Sequence, residues 1–163
     1  MAESLEHAGD PLGGVAGPAV PERLLAAGLA DEIEFLAARA RSLGSAQANA
    51  VLAPLGLKVR SYSVLAVVCG AAEPSQRELA EFLRLDPSQI VTLVDALEQG
   101  GLVARAPDPR DRRSKVIRPT PAGQDLYRQA AEAVRTAEDV SLAALDGAER
   151  DQLRGLLRKI AFG

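Results

Sequence analysis

Apolar positions along the chain mark out a series of amphipathic helices, interrupted once by a stretch of a different period. From Pro21 to Ala53 the composition suits one helix, with Ile33, Leu36, Ala37, Ala40 and Leu43 at helical spacing. Ser42, Gly44 and Ser45 weaken its middle, and Pro54 with Gly56 ends it. Residues 60–71 (RSYSVLAVVCGA) are short and largely apolar; their length and alanines favour a buried helix, while Val64, Val67 and Val68 suit a strand. Ser75-Gln76-Arg77-Glu78 is a capping box, followed by the apolar stripe Leu79, Phe82 and Leu83. After a break at Arg84-Leu85, Asp86 caps a second short helix with Pro87 at its first turn and Gln89 at its third position. Ile90, Leu93, Val94 and Leu97 give that helix its inner face, and Gly100-Gly101 stops it. Two capped helices joined by so short a turn form a helix-turn-helix.

The period then changes. Leu102–Ala106 and Lys115–Arg118 read as strands, and the polar run between them makes a β-hairpin with a charged tip over 107–114. Thr120-Pro121 opens another helix carrying Leu126, Ala130, Val134 and Ala137. Asp146-Gly147-Ala148-Glu149 caps a last one, with Leu153, Leu156, Leu157 and Ile160 on one face. Residues 1–20, rich in Gly, Ala and Pro and without a period, read as a disordered tail. The expected fold is mainly α with a small β-hairpin wing.

Composition removes several function classes. The single histidine, His7, and single cysteine, Cys69, leave no basis for a histidine triad, a multi-cysteine metal site or an internal disulfide. With no paired carboxylates and no phosphate-cradling glycine loop, no enzyme and no cofactor is expected. No apolar run has the length of a membrane span, and residues 1–20 lack a signal-peptide pattern, so the expectation is a cytoplasmic protein without membrane contact.

The net charge of −3 does not advertise nucleic acid, but its distribution does. Between residues 105 and 118 six basic side chains face only two acidic ones, the one strong basic concentration in the chain. The helix over 86–99 is narrow enough for the major groove of B-DNA, and its outer face carries Ser88, Gln89, Thr92 and Asp95, polar and within reach of base edges. Gln89 can pair with adenine through both amide atoms, and the Thr92 methyl can touch a thymine methyl. Free amides at the helix starts, with Ser75, Gln76, Pro87 and Ser88, suit phosphate. The hairpin projects Arg105, Arg110, Arg112, Arg113 and Lys115, beside Asp111, toward backbone or minor groove.

The run from Gly56 to Gly123, and within it SQRELAEFLRLDPSQIVTLVDALEQGGLVARAPDPRDRRSKVIRPTPAG, resembles the MarR family of bacterial winged-helix regulators. Leu79-Ala80, Leu97-Glu98, Gly101-Leu102-Val103, Asp111-Arg112-Arg113 and Thr120-Pro121-Ala122-Gly123 fall at the family's spacings. The resemblance implies a homodimer on a near-palindromic operator of double-stranded DNA, and a repressor released by a small aromatic or phenolic effector. It implies a first dimerisation helix region over 21–56, a winged helix-turn-helix over 57–119 and dimerisation helices over 120–163. Arg113, held by Asp111, would be the wing arginine in the minor groove. The protein would sit on the bacterial nucleoid when bound. Pro119 departs from the family's pattern, and lacking an N–H it is expected to end the second wing strand early. For an effector cleft, Arg39, Arg60 and Tyr62 are chemically suited. Two other readings stand beside this one: a winged-helix protein-interaction module without DNA binding, which the acidic total favours, and a redox sensor through Cys69.

Overall fold

The structure is a computed structural model that describes residues 20–70, 73–109, 111 and 114–163. The tail assigned to residues 1–20 lies, but for Val20, outside the described residues, as do the wing arginines Arg110, Arg112 and Arg113. Contacts divide the chain into two units, residues 1–39 and 40–163.

The single helix expected from Pro21 to Ala53 is instead broken. A short α1 (Glu22–Leu25) is followed by a 3₁₀ turn (Gly28–Asp31) and then by α2 (Ile33–Leu52). Ala27 and Glu32, on either side of the 3₁₀ turn, are both extended, so the backbone leaves the helical region twice. Gly44 does not interrupt α2. A second 3₁₀ turn at Ala53–Leu55 and the left-handed Gly56 then turn the chain into α3 (Val59–Cys69).

The strand-or-helix ambiguity of residues 60–71 resolves as this helix. α3 packs against α4 (Gln76–Leu83), α5 (Pro87–Gln99), the strand β2 (Lys115–Pro119) and α6 (Pro121–Ser141). Enclosed on that many sides, it needs apolar residues around most of its circumference, which is why its sequence lacks a clean polar face. Val64, Leu65 and Val68 are fully buried there, together with Leu52, Leu79, Ile90, Val94 and Ile117.

The hairpin pairs β1 (Val103–Pro107) with β2 in antiparallel register, Val103 opposite Pro119 and Pro107 opposite Lys115. Pro119 does not shorten the strand, contrary to expectation. The Thr120 N–H donates to the Leu102 carbonyl (3.0 Å) and the Asp108 N–H to the Ser114 carbonyl (2.9 Å). On the two-residue period, the N–H groups of even-numbered residues therefore face β1. Pro119 falls on the other edge, where the Ile117 N–H donates to the Pro74 carbonyl (2.8 Å), so its missing N–H costs the hairpin no bond.

The wing is fastened to α6 by Thr120, whose hydroxyl donates to the Gly101 carbonyl (2.7 Å) and accepts from the Gly123 N–H (3.0 Å). A side chain at Gly123 would collide with the Leu102 carbonyl, so only glycine allows this close approach. The chain ends in α7 (Gly147–Phe162), capped by Asp146 and Glu149 in a capping box. Among the described residues no single helix is long and apolar enough to cross a membrane.

Candidate nucleic-acid interface

The two helices of the helix-turn-helix start as the sequence predicts. The Ser75 hydroxyl accepts from the Glu78 N–H (3.2 Å) while the Glu78 carboxylate accepts from the Ser75 N–H (2.7 Å). Asp86 accepts from both the N–H (2.8 Å) and the hydroxyl (2.5 Å) of Ser88, and these bonds hold its carboxyl below the usual carboxylate range. Between the helices Arg84 adopts a left-handed backbone (φ 53°), which turns the chain sharply enough to set α5 across α4.

α5 turns Ile90, Val94 and Leu97 into the core and leaves Pro87, Ser88, Gln89 and Thr92 exposed. The Thr92 hydroxyl donates back to the Ser88 carbonyl (3.0 Å), so its methyl group remains for an outside partner. The Ser75 and Ser88 hydroxyl protons are engaged in the caps and leave only oxygen lone pairs free. Gln89 Oε1 accepts a long bond from the Arg60 guanidinium (3.4 Å). Val91, which the sequence reading passed over because it falls between the apolar stripe and the polar one, is also exposed on this helix.

Asp95 and Arg105 sit together rather than reaching outward separately. The Arg105 guanidinium forms ion pairs with Asp95 and Glu98, and the Glu98 carboxylate also accepts the Arg105 N–H (3.0 Å). Its Nε approaches the Gln76 side-chain oxygen (3.4 Å). The hydrogen bond to Asp95, then the one to Glu98, drives Arg105 further toward its charged form against the opposing effect of burial. With a side chain only 19% exposed, Arg105 is a tie between β1 and α5. Glu98 entered the sequence reading only as part of the family spacing and not as a site residue, although its i+3 spacing from Asp95 puts both carboxylates on one helix face. Lys115 is exposed at the start of β2, and Asp111 accepts from the Ser114 hydroxyl (3.1 Å) in the tip.

Beneath the helix-turn-helix lies a groove of about 1100 Å³ bounded by α2, α3, α4 and α5. Its apolar side is made by residues such as Leu57, Leu83 and Leu97, and four cations line it: Arg41, Lys58, Arg60 and Arg84. Among the described residues no carboxylate lines it. Asn49 helps shape it, its side-chain oxygen accepting the Val59 N–H (3.0 Å) at the start of α3. Of the three residues proposed for an effector, Arg60 lines this groove. Tyr62 instead stacks on Tyr127 (ring centroids 6.2 Å apart), and burial raises its hydroxyl pKa. Arg39 is exposed and belongs to the other unit. Arg41, Lys58 and Arg84 escaped the sequence reading because they come from three separate segments with no shared spacing. The Cys69 thiol, half-buried at the end of α3, points to the Gly123 carbonyl (3.9 Å), and burial pushes its pKa up.

A helix-turn-helix whose second helix presents a polar face, followed by a hairpin tied to that helix, defines a winged helix-turn-helix regulator. The sequence profile of the MarR family matches residues 55–114. A MarR-family transcriptional regulator from Rhodococcus sp. RHA1 is 43% identical, with a TM-score of 0.78 over 82% of this chain and 95% of that one. CouR from Rhodococcus jostii RHA1, solved bound to p-coumaroyl-CoA, is 44% identical, with a TM-score of 0.76 over 82% and 94%. The HTH-type transcriptional repressor Rv2887 of Mycobacterium tuberculosis is 29% identical over 82% of this chain and 97% of its own. Its complex with DNA has a TM-score of 0.66 to this chain. A match to a putative regulatory protein of Thauera aromatica spans 60% of that protein's length. The chain belongs to the MarR family.

Proposed function

We propose that the protein is a homodimeric transcriptional repressor that binds a near-palindromic operator through α5 and the wing over 107–114, and that an anionic aromatic effector, free or as its CoA thioester, releases it. The observation that carries this reading is the outward face of α5, where Gln89 and the Thr92 methyl stand free of the core while Ile90, Val94 and Leu97 anchor the helix. The DNA complex of Rv2887 supports the first part and the p-coumaroyl-CoA complex of CouR the second. Such a protein acts in the cytoplasm, where its operator is.

Dimerisation is supported by apolar surface that a single chain leaves open. On α7, Leu156 and Leu157 are 51% exposed and Ile160 78%. In the first unit Leu24, Leu25, Leu29 and Ile33 are exposed as well. To read two half-sites, a dimer covered on these faces must hold its two α5 helices about one helical turn of DNA apart, roughly 34–36 Å.

The test is selection of bound duplexes from a random pool, followed by gel shifts at several salt concentrations. The selected duplex should bind far more tightly than random DNA, and Gln89→Ala or Thr92→Ala should narrow that gap by weakening the selected duplex alone. Equal losses on both DNAs would contradict direct reading by α5.

A further inference from the structure

Arg60 stands at a boundary between two hollows. It lines the cationic groove together with Arg41, Lys58 and Arg84. It also lines a smaller hollow of about 300 Å³ on the recognition helix, with Ser88, Gln89, Thr92 and Leu93. Its guanidinium donates to Gln89 across 3.4 Å, beyond the ordinary range for such a bond, and the acceptor is a neutral amide. An ionised oxygen would add the attraction of a second full charge and could accept two guanidinium N–H groups at once, neither of which the neutral Gln89 amide oxygen supplies. A carboxylate or phosphate entering the groove meets four cations and no competing carboxylate. Arg60 is therefore weakly held on the DNA side and strongly attracted on the other.

We propose that Arg60 is shared between operator reading and effector release: in the free protein it steadies the Gln89 amide for its base, and the anionic group of a ligand in the groove draws it away. This rests on the effector-released repressor proposed above, with the effector placed in this groove. The ligand then acts by differential interaction with two positions of one side chain, which is what a population shift requires. Reciprocity follows, since operator DNA must weaken the ligand by the factor that the ligand weakens operator.

The experiment uses the full chain, the duplex it selects, and p-coumaroyl-CoA as probe, with p-coumarate and CoA alone as further arms. Operator affinity is measured with and without probe, and probe affinity for free protein is measured separately by calorimetry. For the wild type the probe should lower operator affinity about 5–150-fold, the ordinary range for coupled sites. Arg60→Ala should bring that factor to within about twofold of unity while the probe still binds through Arg41, Lys58 and Arg84. Arg60→Lys, which keeps the charge but loses the planar fork, should restore part of it. On the DNA side, Arg60→Ala should reduce discrimination at the base read by Gln89, and this effect should vanish in a Gln89→Ala background. Full coupling in Arg60→Ala, or the same loss of discrimination with and without Gln89, overturns the assignment of Arg60 alone. A wild type whose operator affinity neither the probe nor its two parts alters overturns the effector reading as well.

Discussion

α5 and α7 have nearly the same design and opposite fates. Each starts with an aspartate whose side chain accepts a backbone N–H of the first turn, and each carries apolar residues at spacings of three and four. α5 sends Ile90, Val94 and Leu97 into a core shared with α3 and the hairpin. α7 buries no residue at all, and its stripe of Leu156, Leu157 and Ile160 is half exposed or more. An apolar stripe thus specifies that a face must be covered but not by what. α5 finds its cover within the chain, whereas we assign α7 a cover from a second copy.

The contrast breaks most visibly on α7. Leu156→Asp combined with Ile160→Asp should leave the chain folded and monomeric in sedimentation. Operator affinity should then fall about 10²–10⁴-fold, because two linked half-site contacts become one. A dimer that persists with unchanged affinity would remove α7 from the interface. Truncating the α5 stripe acts on the fold instead. Ile90→Ala should lower unfolding free energy by about 2–5 kcal/mol, read from urea melts, since Ile90 is fully inaccessible. Ile160→Ala should weaken self-association rather than the core, and a melt independent of protein concentration would contradict that.

A smaller effect separates two arginines of the hairpin. Arg105→Ala should weaken binding to every sequence about tenfold, because Asp95 and Glu98 lose their tie to β1, with the salt slope unchanged. Arg113→Ala, assigned to the minor groove, should lower the slope by about one unit. A matching slope change in Arg105→Ala would put Arg105 on phosphate. The smallest effect is expected at Cys69. Burial raises its pKa, so the protonated thiol is the native form at neutral pH, and ionisation, which opposes the native environment, needs a higher pH than in an ordinary thiol. Alkylation of the folded protein at pH 7–8 should be slow, and Cys69→Ser should bind operator as the wild type does. Release of operator by dilute peroxide would contradict this.

Much of this architecture was legible because it is local. Caps at Ser75, Asp86, Thr120 and Asp146 announce four helices from four-residue windows, and the change of period after Gly101 announces the hairpin. What was not legible depends on tertiary neighbours. α3 was ambiguous because a helix enclosed on several sides loses the periodicity that distinguishes it from a buried strand. The break before α2 was missed because the leucines and alanines over 24–30 favour helix and outweigh Gly28, the poor helix former that opens the 3₁₀ turn. Pro119 misled because the edge that its missing N–H faces is set by the hairpin register. In the candidate interface, Gln89 and Thr92 were legible as an outer stripe, whereas the pairing of Arg105 with Asp95 and Glu98 joins a strand to a helix. The cations of the groove come from three segments, and no spacing along the chain encodes their meeting.

Reading of one operator by two copies of α5 shows in the stoichiometry and footprint of the complex with the selected duplex. Sedimentation should find two chains per duplex, and footprinting should protect two inverted half-sites centred about 10–10.5 base pairs apart. One chain per duplex, or a footprint without that inverted repeat, would rule out a paired reading by two α5 helices.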